Sequence, residues 1–168
     1  MQKILDKIYH WVDLSKLNVE SDHALIKSQK IDFVGKVTVT DRYGYNIIIL
    51  KEAEIVKIST SYKFDQQLNS QIPNIKNISY EFLSNMELSL LQMNLQYVFI
   101  DKNHNPVSLD GKAVISIDDL ESIEISKNLY FDGFNQNLFF EAVTNVINAI
   151  KILDILYQKT YLKELPNK

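Results

Sequence analysis

A chain of 168 residues with 46% hydrophobic content is long enough to bury one sizeable core and short for two. Its net charge of −3, with seventeen lysines and a single arginine, Arg42, leaves no positive excess to neutralise phosphates, so nucleic acid is not an expected partner. Cysteine is absent, which excludes disulfide scaffolds, thiol catalysis and thiolate metal sites.

Taken in order, the chain opens with MQKILDKIYHWVDL, whose charges interrupt the apolar run and which lacks a small-residue cleavage site. Neither a signal peptide nor a membrane span is expected, and a cytoplasmic location is. Residues 2–17 predict an amphipathic helix with Ile4, Leu5, Ile8, Tyr9 and Val12 on one stripe and Trp11 at its border, where an aromatic seals a core edge. Residues 18–30 read as a polar connection in which only Ala24–Ile26 could pair as a strand. Three strands follow, over 31–40, 45–50 and 54–61, with the turn Asp41-Arg42-Tyr43-Gly44 between the first two. The unbroken apolar run Ile47–Leu50 suits a central strand covered on both faces.

Leu83, Met86, Leu90 and Met93 at three-and-four spacing predict a helix over 79–94, flanked by Phe82 and Leu91, with a strand over 86–91 as its rival. Strands at 97–100 and 113–117 complete an expected five-stranded sheet. Asp118–Glu124 is acidic and reads as a helical turn or a loop. Asn135 is a fair N-cap for a long helix over 135–163. On a wheel of about 100° per residue, apolar side chains cover roughly two-thirds of that helix, wider than an ordinary surface stripe, with Ile155 in the wet face and Asp154 in the apolar arc. These elements define an α+β class, one domain over 1–168, in the order α-βββ-α-ββ-α, an antiparallel sheet packed by helices.

The catalytic templates fail in turn. Glycines 35, 44, 111 and 133 are isolated, so no phosphate loop or dinucleotide fingerprint exists. Asp101-x-Asn103-x-Asn105 resembles the start of a calcium loop, yet Pro106 stands where glycine is needed and Lys112 where a bidentate Glu is needed. His10, His23 and His104 are isolated, without the spacing of a zinc site. His104 beside Asp101 would need a nearby serine such as Ser108 to act as a base, and sequence supplies no such geometry. The Asn77-Ile78-Ser79 sequon reads as chance. No cofactor, metal or catalytic residue is expected, and the chain reads as a non-enzyme.

A helix ending near Met93-Asn94, the strand Tyr97-Val98-Phe99-Ile100, the polar hairpin Asp101–Pro106, a further strand and the approach Phe131-Asp132-Gly133-Phe134 into a long apolar helix together resemble the fold of type III secretion chaperones and YbjN-like proteins. That resemblance implies a dimerising module that binds other proteins and catalyses nothing. The residues independently suggest a protein-binding module. Phe139, Val143, Val146, Ile150, Leu153 and Tyr157 follow four-three-four spacing, which suits either a homodimer seam or burial in the chain's own core. Asp118, Asp119, Glu121 and Glu124 offer either a solvated face or an acidic patch for a basic partner. The expected function is a chaperone or adaptor holding a client protein, with an immunity or antitoxin protein that neutralises a folded toxin as the alternative.

Overall fold

The computed structural model describes residues 1–21, 31–70, 75–107 and 116–161, the side chains of 68 and 76–78 excepted. In chain order these form α1 (Gln2–Leu14), β1 (Val19–Ser21), β2 (Phe33–Thr38), β3 (Gly44–Leu50), β4 (Ile55–Lys63), α2 (Gln66–Asn69), α3 (Ile75–Gln92), β5 (Gln96–Asp101), β6 (Pro106–Val107), a 3-10 turn (Ile117–Asp119), β7 (Leu120–Tyr130) and α4 (Gln136–Tyr161). The class is α+β, and the strands form one antiparallel sheet in the order β1-β2-β3-β4-β7-β5-β6. Among the described residues the sheet has seven strands: β2, β3, β4 and β5 match four of the five expected, β1, β6 and β7 are additional, and of the expected strand 113–117 the described Ile117 lies in the 3-10 turn. Residues 24–26, 108, 113–115 and 162–163, His23 and the Asn77 side chain lie outside the described residues.

The differences have local causes. The first helix stops at Leu14 rather than 17 because Lys16 takes a left-handed φ of 58° and Leu17 N–H bonds back to Val12 O at 3.3 Å. This is the reverse turn that usually recruits glycine after a helix. The same device ends α3, with Asn94 at φ 52° and Leu95 N–H bonded to Leu90 O at 3.0 Å. Strand β1 is three residues of an exposed edge, too short and polar to show a period. Residues 118–124, expected as a helical turn or a loop, divide: Asp118 and Asp119 lie in the 3-10 turn, and β7 begins at Leu120, where the buried Ser122 and Ser126 interrupt the apolar pattern. Helix α3 covers 86–91, which removes the rival strand. In β3 the run Ile47–Leu50 alternates after all: Tyr45, Ile47 and Ile49 are buried while Asn46, Ile48 and Leu50 are half-buried.

The chain packs as two compact units, Met1–Thr60 with Ser126–Ile147, and Ser61–Ile125 with the chain from Asn148 onward. In the first, Ile8, Trp11 and Val12 of α1 join Val34, Val37, Ile47, Ile49, Val56 and Ile58 of the strands in the core. Trp11 lies 5.3 Å from Phe134 and 5.6 Å from Phe139 by ring centroids, so it seals a core edge as its border position suggested. Register is fixed by pairs such as Val19 with Val37 and Gly35 with Ile47. Gly44 begins β3 where a Cβ would stand 2.7 Å from Val37 O, a backbone atom that cannot move aside cheaply. Asn135 caps α4, its Oδ1 accepting from Leu138 N at 3.1 Å and its Nδ2 donating to Gly133 O at 2.9 Å.

In the second unit, Phe82, Leu83, Met86 and Leu90 of α3 give the helix its buried face at three-and-four spacing, beside Phe99, Leu120, Ile123 and Leu153. Gln66 Nε2 donates to Leu120 O at 2.6 Å and Phe64 N to Glu121 O at 3.0 Å, which anchor the start of α2 to β7. Ser116 and Asp119 cap the 3-10 turn reciprocally, each side chain accepting from backbone N–H near the other residue.

Candidate functional site

Among the described residues, three exposed large apolar side chains lie on the outer face of α3. Core packing claims Phe82, Leu83, Met86 and Leu90, which leaves Tyr80, Leu88 and Leu91 outward at 66%, 57% and 63% exposure. At about 100° per residue Tyr80, Ser84, Leu88 and Leu91 fall within an arc of about 80°, so these side chains form one stripe roughly 16 Å long. Carboxylates border it on both sides. Glu81 is exposed on one flank, and on the other Glu87 is half-buried and accepts from Tyr97 OH at 2.8 Å. Scattered single apolar residues are ordinary on a protein surface, whereas several on one helix face make that face a candidate interaction surface. Sequence periodicity pointed at the buried face of this helix and put Leu91 beside it; counting the wheel from Tyr80 would have found the outer one.

The four acidic positions are not brought together as one free patch. Asp119 is exposed but closes the 3-10 cap, with Ser116 N donating to its Oδ2 at 3.3 Å, and Asp118 is half-buried. Glu121 Oε2 sits 2.6 Å from His104 Nδ1. The pair lies within ion-pair distance, which engages one Glu121 oxygen with the hairpin. Glu124 is the remaining exposed carboxylate, on β7.

The hairpin between β5 and β6 explains the calcium-like run. Asp101 Oδ1 accepts from Asn103 N and Asn105 N, each at 2.8 Å, and His104 adopts a φ of 62°. The backbone bond from Asn105, with that from Asn103, holds the Asp101 carboxyl below its usual range against a smaller opposing desolvation. The carboxylate is thus engaged in shaping its own turn. An open cleft of about 380 Å³ lies beside it, lined by Asp101, Lys102, Asn103, Val107, Asp119 and Leu120. A second, of about 400 Å³, is lined by Tyr9, His10, Val12, Asp13, Leu17, Asn18 and Val19. Among the described residues no group of three His, Asp or Glu side chains could hold a metal ion.

The seam expected on the long helix is covered within the chain. In the first unit Phe139 and Val146 are buried and Val143 half-buried, and in the second Ile150, Leu153 and Tyr157 are buried. Five of the six side chains are buried within the chain, which is the core role that the spacing allowed, and Val143 is half-buried. Ile155 is 50% exposed, as its wet position predicts, while Asp154 is half-buried and not free of interactions. No helix among the described residues is long and apolar enough to cross a membrane.

The molecule is thus an α+β protein whose clearest surface feature is a charged-rimmed apolar stripe. Residues 4–156 match the family of uncharacterized conserved proteins designated DUF2299, and the chain belongs to that family. A crystal structure of an uncharacterized protein from Methanothermobacter thermautotrophicus shares the fold, with a TM-score of 0.69 at 13% identity over 93% of this chain and 97% of that one. The chain is also 24% identical over 173 residues to the tRNA uridine 5-carboxymethylaminomethyl modification enzyme MnmG of Mycoplasmoides gallisepticum (strain R(low / passage 15 / clone 2)). That match takes in 91% of this chain and spans about a quarter of the enzyme's length.

Proposed function

We propose that this chain is a non-enzymatic protein-binding module, a chaperone or adaptor that docks a partner protein on the outer face of α3. The observation that carries the reading is the exposed stripe of Tyr80, Leu88 and Leu91 between Glu81 and Glu87. An amphipathic helix with an apolar seam and a basic fringe is its complement: the seam buries the stripe and the fringe meets the two carboxylates. Pairing with a second copy of the same face is disfavoured, because it would bring like charges together on both rims. The likeness to part of MnmG favours one context for such a module, work beside a tRNA-modifying enzyme. The net charge of −3 and lone Arg42 argue that it would contact protein there rather than RNA. The immunity or antitoxin reading draws less support, since its acidic patch is divided between a cap, an imidazole contact and one lone strand carboxylate.

Photo-crosslinking residues placed at 80, 88 and 91 and, as controls, at 119 and 124 test the reading in intact source cells. Adducts to one protein from the α3 positions alone support docking there. Adducts confined to 119 and 124 move the argument to the acidic reading, and adducts from none of the five positions reject both.

A further inference from the structure

In the first unit, the turn that ends α1 leaves an open cleft of about 400 Å³ between that helix and β1. The left-handed Lys16 and the bond from Leu17 N to Val12 O fold Leu17 back against the last turn of α1, and the chain then leaves along the sheet edge as β1. Both walls are held in place. On the helix side the Tyr9 ring packs edge-on against Phe33, 6.1 Å between centroids, and its hydroxyl lies 3.3 Å from Ser21 Oγ. On the strand side a Val19 methyl fills the space over Gly35, where a Cβ would stand 2.5 Å from it. The floor is apolar, with Val12 at 1% exposure and Leu17 and Val19 half-buried.

The rim is polar. Tyr9 and Asp13 are one turn apart on α1, so the ring and the carboxylate are neighbours on one helix face, and His10 and Asn18 complete the rim. Among the described residues no hydrogen bond or ion pair engages the side chain of His10, Asp13 or Asn18. Asp13 carries the only fixed charge in the lining, which Lys16 does not join. A carboxylate beside an aromatic ring, above an aliphatic floor, suits an organic cation. The carboxylate offsets the positive charge, the ring adds a cation–π attraction, and the floor covers hydrocarbon. We propose that this cleft binds a small organic amine in its ammonium form. The charge lies against Asp13 and Tyr9, an N–H donates to the Asn18 side-chain oxygen, and the hydrocarbon covers Val12, Leu17 and Val19. The proposal is independent of any partner on the outside of α3.

Titration of the isotope-labelled full chain with n-butylammonium chloride, at constant ionic strength and followed by nuclear magnetic resonance, tests it. Saturable shifts are expected at the backbone amides of His10, Asp13, Asn18 and Val19. Butan-1-ol, the uncharged analogue of the same length, is expected to bind about fivefold more weakly, the size of one part-exposed ion pair. Asp13→Asn should weaken the amine by about the same factor. Asp6→Asn removes an equal charge from an exposed position of α1 outside the cleft and should leave the affinity unchanged. Both substitutions are on the surface, and the amide spectrum reports directly that each variant is folded. No saturable shift at the four amides overturns the proposal. Equal affinity for the amine and the alcohol also overturns it, as does equal weakening by the two variants.

Discussion

Helices α3 and α4 carry similar residues to opposite ends. Helix α4 has the wider apolar wheel, and most of it is removed from water, with Phe139, Ala142, Val146, Ala149, Leu153 and Tyr161 at 1% exposure or less, while Leu138 and Ile155 stay exposed. Helix α3 has an ordinary amphipathic pattern, yet it leaves Tyr80, Leu88 and Leu91 more exposed than any apolar residue of α4. The width of an apolar face therefore says how much cover a helix needs, and only the fold says whether the chain supplies it. Where the chain does, as on α4, the residues hold the structure; where it does not, as on α3, they stay exposed to solvent.

The sharpest way to break that contrast is truncation on each helix. Leu153→Ala on α4 removes a fully buried side chain and is expected to destabilise the fold by about 3 kcal/mol in urea unfolding. Leu88→Ala on α3 is expected to cost less than about 0.5 kcal/mol. Equal costs at the two sites would show that Leu88 is also core and dissolve the comparison. A smaller effect is expected where α3 ends. Asn94 tolerates its left-handed φ better than most residues, so Asn94→Ala should cost about 1 kcal/mol and Asn94→Gly should cost nothing. Calorimetry on the pair reads this difference, and a stable Asn94→Ala chain would show that the turn does not fix the end of the helix.

The buried tyrosines give a pH dependence of defined sign. Burial pushes the phenols of Tyr45 and Tyr161 up to about 12, and Tyr157 higher still, through burial first and the charge of Asp65 next. A folded pKa above the unfolded one means that the folded chain binds more protons through this window, so stability falls as pH rises. The contribution is complete below about pH 10, the ordinary tyrosine value, and is lost progressively toward pH 12. Phenolate absorbance followed beside circular dichroism should show these rings ionising together with unfolding, rather than beforehand in a folded chain. The smallest effect expected is on the hairpin, where His104→Ala removes a contact from an imidazole that is 76% exposed and should change Tm by no more than a degree or two.

Much of the architecture was legible because periodicity reports burial on one face. The strands β2 to β5, α3 and most of the α1 stripe follow from it, although Tyr9, expected on that stripe, is 41% exposed; the Asn135 cap of α4 follows from its side-chain chemistry. Strand β7 was missed because a central strand can bury serines, and Ser122 and Ser126 blur the apolar signal that marks a strand. Strand β1 was missed because three edge residues, Val19, Glu20 and Ser21, carry no period at all. The candidate surface was less legible for a related reason. Tyr80, Leu88 and Leu91 sit at i, i+8 and i+11 among polar residues, and a search for core faces passes over apolar residues on the opposite side. The carboxylates at 118, 119, 121 and 124 looked alike in sequence, but capping, an imidazole and strand direction give them different surroundings.

Docking on the outer face of α3 requires that face to be open, and one measurement addresses that directly. Quantitative affinity capture from source cells, with the wild type and a Leu88→Asp/Leu91→Asp chain run in parallel and thermal unfolding recorded for both, separates docking from folding. A partner captured by the wild type and lost from the double variant, with Tm unchanged within a few degrees, is the expected outcome. Capture of the same partner in equal amount by a folded double variant would contradict it.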